Sequence, residues 1–278
     1  MNSTAKRTIF GVLFLAVMLG GLLFHRIPFT ILFSLISYIM LQEFYHITMG
    51  NSYRVLQNFA GCMGAALLWL TGFGVFRGEP LSQALLPGLF IMVGAVMIFS
   101  IFLKDHKDFI KTGYLYAGLL YIGLPLALSN VVVCNNGSYT GLLMVAFFII
   151  IWASDTGAYC FGMLFGQKIW PAKMCPAISP KKSWAGFAGG LLTAVLAGAI
   201  LFWTGLFKFP LIHCLIVAAL MSVAGVFGDL FESLWKRAAG IKDSGNIIPG
   251  HGGLLDRFDS ALFAIPAGYI YLLLFELV

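Results

Sequence analysis

The sequence has little charge. Only 10% of its 278 residues are Asp, Glu, Lys or Arg, while 60% are hydrophobic. With a mean hydropathy of +0.94, such a chain cannot cover a soluble surface, and no polar interval between its apolar blocks is long enough for a soluble domain. Cys62, Cys134, Cys160, Cys175 and Cys214 form no CxxC pair and no zinc spacing. A zinc module is thereby excluded, and buried free thiols are expected. There is no internal repeat of about 20–50 residues and no low-complexity tail. The net charge of +6 does not point to nucleic acid, because a basic face interleaved with aromatics would need a soluble surface.

What the sequence does have is apolar blocks of roughly 17–25 residues, each able to cross a hydrocarbon core of ~30 Å as a helix. They run approximately over Thr8–Phe24, Pro28–Ile47, Phe59–Phe76, Leu85–Leu103, Thr112–Val133, Gly141–Phe161, Trp184–Phe207, Leu211–Leu234 and Ser260–Val278. The first is preceded by Lys6 and Arg7 and followed by His25 and Arg26 instead of a small-residue cleavage site, so it is expected to be a retained helix and not a signal peptide. The predicted fold class is an all-α polytopic integral membrane protein of about nine transmembrane helices, with a polar cavity facing the cytoplasm. Fourteen Lys and Arg residues fall at the N-terminus and in alternate loops after it, against three (Arg26, Arg77 and Lys208) on the other side. Basic residues are retained on the cytoplasmic side, which places the N-terminus there and the C-terminus opposite.

The chain divides into residues 1–136, with about five spans, and 137–278, with about four spans and most of the chemistry; one continuous domain is the alternative. In the first part Lys104–Asp108 reads as a membrane-surface loop; Glu43, near the end of the second span, is the exception, an interfacial carboxylate or, alternatively, a functional one. In the second part Asp155 follows the run Phe147–Ala153, and an ionisable group at that depth is a functional candidate. Ser179, Lys181 and Lys182 stand just before an apolar helix, where a helix N-terminus and two ammonium groups suit phosphate or simply dress a cytoplasmic boundary.

The densest polar stretch is Gly228–Asp259, GDLFESLWKRAAGIKDSGNIIPGHGGLLDRFD. The spacings of Asp229, Lys236 and Arg237, and of Asp256 and Asp259, let each set share a helix face. Between them Gly240, Gly245, Pro249, Gly250, Gly252 and Gly253 break any helix and admit close approach of backbone N–H groups to an anion. Carboxylates facing basic groups across such a loop suit a metal-bridged phosphate.

The ordered run Ser233-Leu-Trp-Lys236-Arg237, Lys242-Asp243-Ser-Gly245 and Pro249-Gly-His251-Gly-Gly253-Leu-Leu-Asp256-Arg257-Phe-Asp259, together with Ser154-Asp155-Thr-Gly157-Ala-Tyr159 and Ser179-Pro-Lys-Lys-Ser183-Trp184, resembles the signature of phosphatidate cytidylyltransferases, also called CDP-diacylglycerol synthases. The resemblance implies transfer of a cytidylyl group from CTP to phosphatidate, giving CDP-diacylglycerol and pyrophosphate, in a lipid bilayer. It carries Mg²⁺ binding onto Asp229, Asp256 and Asp259, with a second cation left open. Catalytic candidates are Asp229, Lys236, Arg237, Asp243, Asp256 and Asp259. Substrate-binding candidates are Asp155, Ser179, Lys181, Lys182, Lys242, His251 and Arg257.

Asp243 could bind a second cation, contact cytidine or hold Lys242. His251 could donate to phosphate or make a structural hydrogen bond. Glu232 could support Asp229 or pair with Lys236. The family has Thr and Glu where this chain has Ser183 and Ala185, so any role of that acid is absent or supplied elsewhere. The location implied is a bacterial inner membrane; a homodimer is compatible with the sequence. The rival readings are another membrane phosphotransferase acting on a nucleotide-linked or polyprenyl substrate, and an ion-coupled transporter using Asp155 and Asp229. The Asp-Gly-x-x-Ala-Arg run of CDP-alcohol transferases does not occur.

Overall fold

The structure is a computed structural model and describes residues 3–135, 137–167, 169–247 and 252–278. Its helices are α1 (Ser3–Leu23), α2 (Arg26–Met49), α3 (Arg54–Val75), α4 (Leu81–Ser100), α5 (Ile110–Gly118), α6 (Leu124–Val132), α7 (Leu142–Leu164), α8 (Trp184–Trp203), α9 (Leu211–Ala238), α10 (Leu255–Phe258) and α11 (Ala261–Leu274). Two short antiparallel hairpins punctuate them, β1 (Cys134–Asn135) with β2 (Ser138–Tyr139) and β3 (Lys173–Cys175) with β4 (Ser179–Ser183).

Among the described residues eight helical stretches are long and apolar enough to cross a membrane, and Thr8–Leu23 adds a shorter apolar helix. Each of the nine expected apolar blocks is therefore a helix. Two of the eight stretches are composite. His106–Val132 joins α5 to α6 through a π-helical segment at Leu119–Gly123, and Leu255–Leu274 joins α10 to α11 with a break at Asp259 and Ser260.

The contacts sort the chain into two compact units. The first comprises Met1–Gly141 and Asp243–Arg257; the second comprises Leu142–Lys242 and Phe258–Val278. From Asp243 on, the glycine-rich segment after α9 thus belongs to the first unit, whereas α9 and α11 belong to the second.

Helices pack in a bilayer without a hydrophobic drive between them, so close approach at small residues and buried hydrogen bonds fix the pairs. In the first unit the ring of Tyr45 lies on Gly118, and its hydroxyl donates to the Leu115 carbonyl at 3.0 Å, next to the π-helical segment. Asn130 Nδ2 donates to the Leu68 carbonyl at 2.9 Å, joining α6 to α3. In the second unit α8 meets α7 through a small-residue stripe. A Cβ at Gly190 would stand 2.9 Å from the Ser154 carbonyl and one at Gly186 2.8 Å from that of Ala158, while Thr193 donates to the Ala153 carbonyl at 2.9 Å. Outward faces are apolar: Phe90, Leu196, Ile200 and Trp203 are all exposed, the inverse of a soluble helix and what a lipid-facing surface requires.

All five cysteines are free, as expected, but only Cys214 is buried; Cys62 and Cys160 are exposed on α3 and α7. A thiol facing acyl chains needs no protein partner, so an apolar neighbourhood in the sequence did not mean burial within the protein.

Candidate active site

The second unit gathers one set of predicted residues. β3 and β4 form a hairpin that delivers the chain into α8, and Ser183 caps that helix by accepting from Gly186 N at 3.1 Å. Either hydroxyl residue can serve at this position, so the Ser in place of the family Thr keeps the cap. Ala185 is buried in the first turn, and the acid of the family pattern has no counterpart there. The hairpin also sets Lys182, whose Nζ lies 2.7 Å from Asp229 Oδ2 and donates to the Val226 carbonyl at 3.4 Å. Lys181, the next residue along an extended strand, is exposed. The alternation of a strand separates the two ammonium groups.

Asp229 sits near the C-terminal end of α9 and also accepts from Ser233 Oγ at 3.2 Å. A Cβ at Gly228 would stand 2.5 Å from the Asp259 carbonyl. That contact brings the α9 backbone against the break between α10 and α11 and places Asp229 beside Asp259. Asp259 feels the charge of Asp229 and, more weakly, of Asp155. Asp155, on α7, feels both Asp229 and Lys182. Beside this cluster Ser154 and Ser222 share a hydrogen bond at 2.7 Å. With Asp155, Gly225 and Ser260 they line a void of about 10 Å³, close to the room one water needs.

Glu232 and Lys236 pair one turn apart at 3.3 Å, and both are buried. Lys236 is therefore turned inward, on the same face of the unbroken α9 as Asp229 and Glu232, while Arg237 is exposed beside that face. Arg237 instead donates to the carbonyls of Ile178, at 3.4 Å, and Ile241, at 2.8 Å, tying the β3–β4 turn to the end of α9. Ser179 is half-buried on β4, and Lys242 is exposed.

The first unit holds the other set. Asp256 Oδ2 accepts from Gly253 N at 2.8 Å and Ser244 N at 3.0 Å, with Oδ1 3.2 Å from Ser244 N. Asp243 and Arg257 are exposed. His251, Pro249 and Gly250 lie outside the described residues. Asp256 and Asp259 do not share a helix face, because the helix is broken at Asp259 and their partners lie in different units.

Glu43 does not stand open at an interface. It is buried in α2, where Oε1 accepts from Leu254 N at 2.9 Å and Oε2 from Leu255 N at 2.8 Å and from Ser244 Oγ at 3.1 Å. A Cβ at Gly245 would stand 2.6 Å from Oε1, and one at Gly253 2.7 Å from Oε2. Two of the glycines assigned to anion approach thus admit a carboxylate of the same chain. The available signal was a carboxylate inside an apolar span, which needs a polar partner somewhere. A larger opening in the same unit, about 970 Å³ and lined by Asn51–Leu56, Phe99, Phe102–Lys104 and Asp108, contains none of the predicted site residues.

Among the described residues no group of three or more His, Cys, Asp or Glu side chains is disposed to hold a metal ion. Of the expected set, Asp229 and Asp259 are neighbours, and Asp256 has its oxygens on backbone amides.

The sequence model of the cytidylyltransferase family matches residues 5–275. The phosphatidate cytidylyltransferase of Bacillus subtilis strain 168 is 33% identical over 284 aligned positions, covering 99% of this chain and all of the relative. Proteins of the same name from Staphylococcus haemolyticus and Staphylococcus saprophyticus are 30% and 32% identical, each over more than nine tenths of both chains.

Proposed function

Because the chain belongs to the cytidylyltransferase family, we propose that it transfers the cytidylyl group of CTP to phosphatidate in the membrane, releasing pyrophosphate and leaving CDP-diacylglycerol for phospholipid synthesis. The observation that carries this reading is a family match running almost from end to end.

In the reaction a phosphatidate oxygen attacks the α-phosphorus of CTP while the bond to the bridging β-phosphate oxygen breaks. The attacking group is already ionised, so the demand is for charge neutralisation and alignment, with little need of a general base. Lys182 is the central cation in this proposal: it is held at 2.7 Å by Asp229, and an approaching phosphate can share its remaining N–H donors. Lys181 and Lys242 are exposed and can follow the triphosphate. Arg237 works at one remove by fixing the hairpin that carries Lys181 and Lys182. Lys236 is paired with Glu232 and supports the end of α9 from within.

Mg²⁺ fits the neighbouring carboxylates of Asp229 and Asp259, since this ion is commonly held by one or two carboxylates with substrate phosphates and waters completing its shell. When bound it would supply the neutralisation that two meeting polyanions require. Asp256 is assigned instead to shaping the glycine-rich segment. The N-terminus and the loop after α9 are placed on the cytoplasmic side of a bacterial inner membrane, supported by the excess of basic residues in alternate loops.

The test is purified protein with phosphatidate, Mg²⁺ and CTP labelled in the base. A labelled lipid and one equivalent of pyrophosphate are expected, with CTP or dCTP preferred far above ATP and GTP. Equal use of all four nucleotides would leave only a general phosphotransferase, and uncoupled ion flux without lipid product would favour the transporter.

A further inference from the structure

We propose that Glu43 is a positioning residue for the reaction: its carboxylate in α2 holds the two ends of the glycine-rich segment together and so sets the shape in which that segment meets the nucleotide. This rests on the reading above, in which the chain uses CTP, and adds to it that the segment meets the nucleotide.

Glu43 lies more than two hundred residues away in sequence from the groups it binds. It is 7% exposed, and a buried carboxylate is tolerated only where donors surround it. Here they come from both sides of the segment, the Ser244 hydroxyl from the start and the Leu254 and Leu255 amides from the end. Asp256 joins the same two ends through the amides of Ser244 and Gly253. The short chain between Ser244 and Gly253 is thereby pinned twice at its base, once by a neighbouring residue and once by a separate membrane helix. The second pin ties the segment to a helix more than two hundred residues away in sequence.

The glycines agree with this assignment. At Gly245 and Gly253 a side chain would meet Glu43 itself, at 2.6 and 2.7 Å. Their smallness is explained by the carboxylate that enters between them. An interfacial acid would accept from water and would leave no such imprint on a segment so far along the chain.

The conservative variant Glu43→Gln keeps size and one acceptor but turns an NH₂ toward an N–H donor. Loss of a charge-assisted acceptor should lower kcat/KM for CTP by about 30-fold while the folded fraction and thermal midpoint in detergent stay close to wild type. A structural role alone would not separate those readouts. As an independent measure, a cysteine at the buried Leu254 (Leu254→Cys) in a cysteine-free background should react with a maleimide about tenfold faster when Glu43→Gln is present, because opening of the segment exposes it more often. An Asp105→Cys control should not change.

If Glu43→Gln fails to fold, Ser244→Ala removes only the hydroxyl and should give about a threefold change in both activity and labelling rate. Wild-type kcat/KM and wild-type labelling in either folded variant would overturn the proposal, as would an activity loss that merely tracks the loss of folded protein. Failure of the functional reading shows separately: wild-type protein would then make no lipid from CTP, while the labelling comparison would still report on Glu43 and its segment.

Discussion

In the first unit Glu43 and Asp256 accept from backbone amides, whereas in the second Asp155, Asp229 and Asp259 face one another and Lys182. The difference separates two uses of a carboxylate in an apolar chain. An amide donor is part of the fold and cannot leave, so oxygens held by it stay held. A lysine ammonium is mobile and has further donors to give, and two like charges at ~4 Å repel by about 4 kcal/mol at an effective dielectric near 20. A cluster of the second kind is therefore poised to accept a cation or to share its lysine with an anion, and a cluster of the first kind is poised to keep a shape.

The largest effect should come from breaking the second cluster. Lys182→Met removes the cation and leaves Asp229 next to Asp155 and Asp259 uncompensated. We expect kcat/KM for CTP to fall about 1000-fold or more, with insertion into the membrane unchanged. Lys182→Arg should recover part of the loss, since charge is kept but the reach to Asp229 is altered. A Lys182→Met protein with activity within about tenfold of wild type would remove this residue from the site.

A second experiment asks whether the two kinds of carboxylate differ in their response to Mg²⁺. Asp229→Asn and Asp259→Asn should each raise the Mg²⁺ concentration needed for half-maximal activity by about tenfold or more. Asp256→Asn should lower turnover by about 10- to 50-fold through the segment it shapes and leave the Mg²⁺ midpoint where it was. If instead Asp256→Asn shifts that midpoint as strongly as Asp259→Asn, the division drawn between the units is wrong and Asp256 returns to the metal set.

The helices and the polar segments were legible because they depend on local composition. Apolar blocks of membrane-crossing length stand out without any tertiary information, and so do Lys182, Asp229 and Asp259 once a run of charge interrupts such blocks. Burial along a helix face was less legible: the i to i+7 spacing of Asp229 and Lys236 puts both on one face of the unbroken α9, but it does not show that this face is closed off at Lys236, where the buried Glu232 pairs with it. The spacing of Asp256 and Asp259 misled for a different reason, the break at Asp259 and Ser260. Least legible was Glu43, whose partners are fixed by the return of the chain to α2. No local pattern announces a contact across such a separation, although the cost of burying an acid already required one.

The smallest expected effect concerns Ser222, at the edge of the second cluster. Its hydroxyl shares a 2.7 Å hydrogen bond with Ser154 and borders the void next to Asp155. Hydrogen bonds between membrane helices contribute about 0.6 kcal/mol on average, less than their burial suggests, because the separated helices find other partners. Ser222→Ala should therefore lower stability in detergent by less than about 1 kcal/mol and change kcat/KM by no more than about threefold. The same substitution in a Lys182→Met background should be additive if the serine pair only joins α7 to α9. A loss near 100-fold from Ser222→Ala alone, with unchanged stability, would mean that the pair or a water in the void holds Asp155 in its working position, and the reactive cluster would then extend from the lysine to the serines.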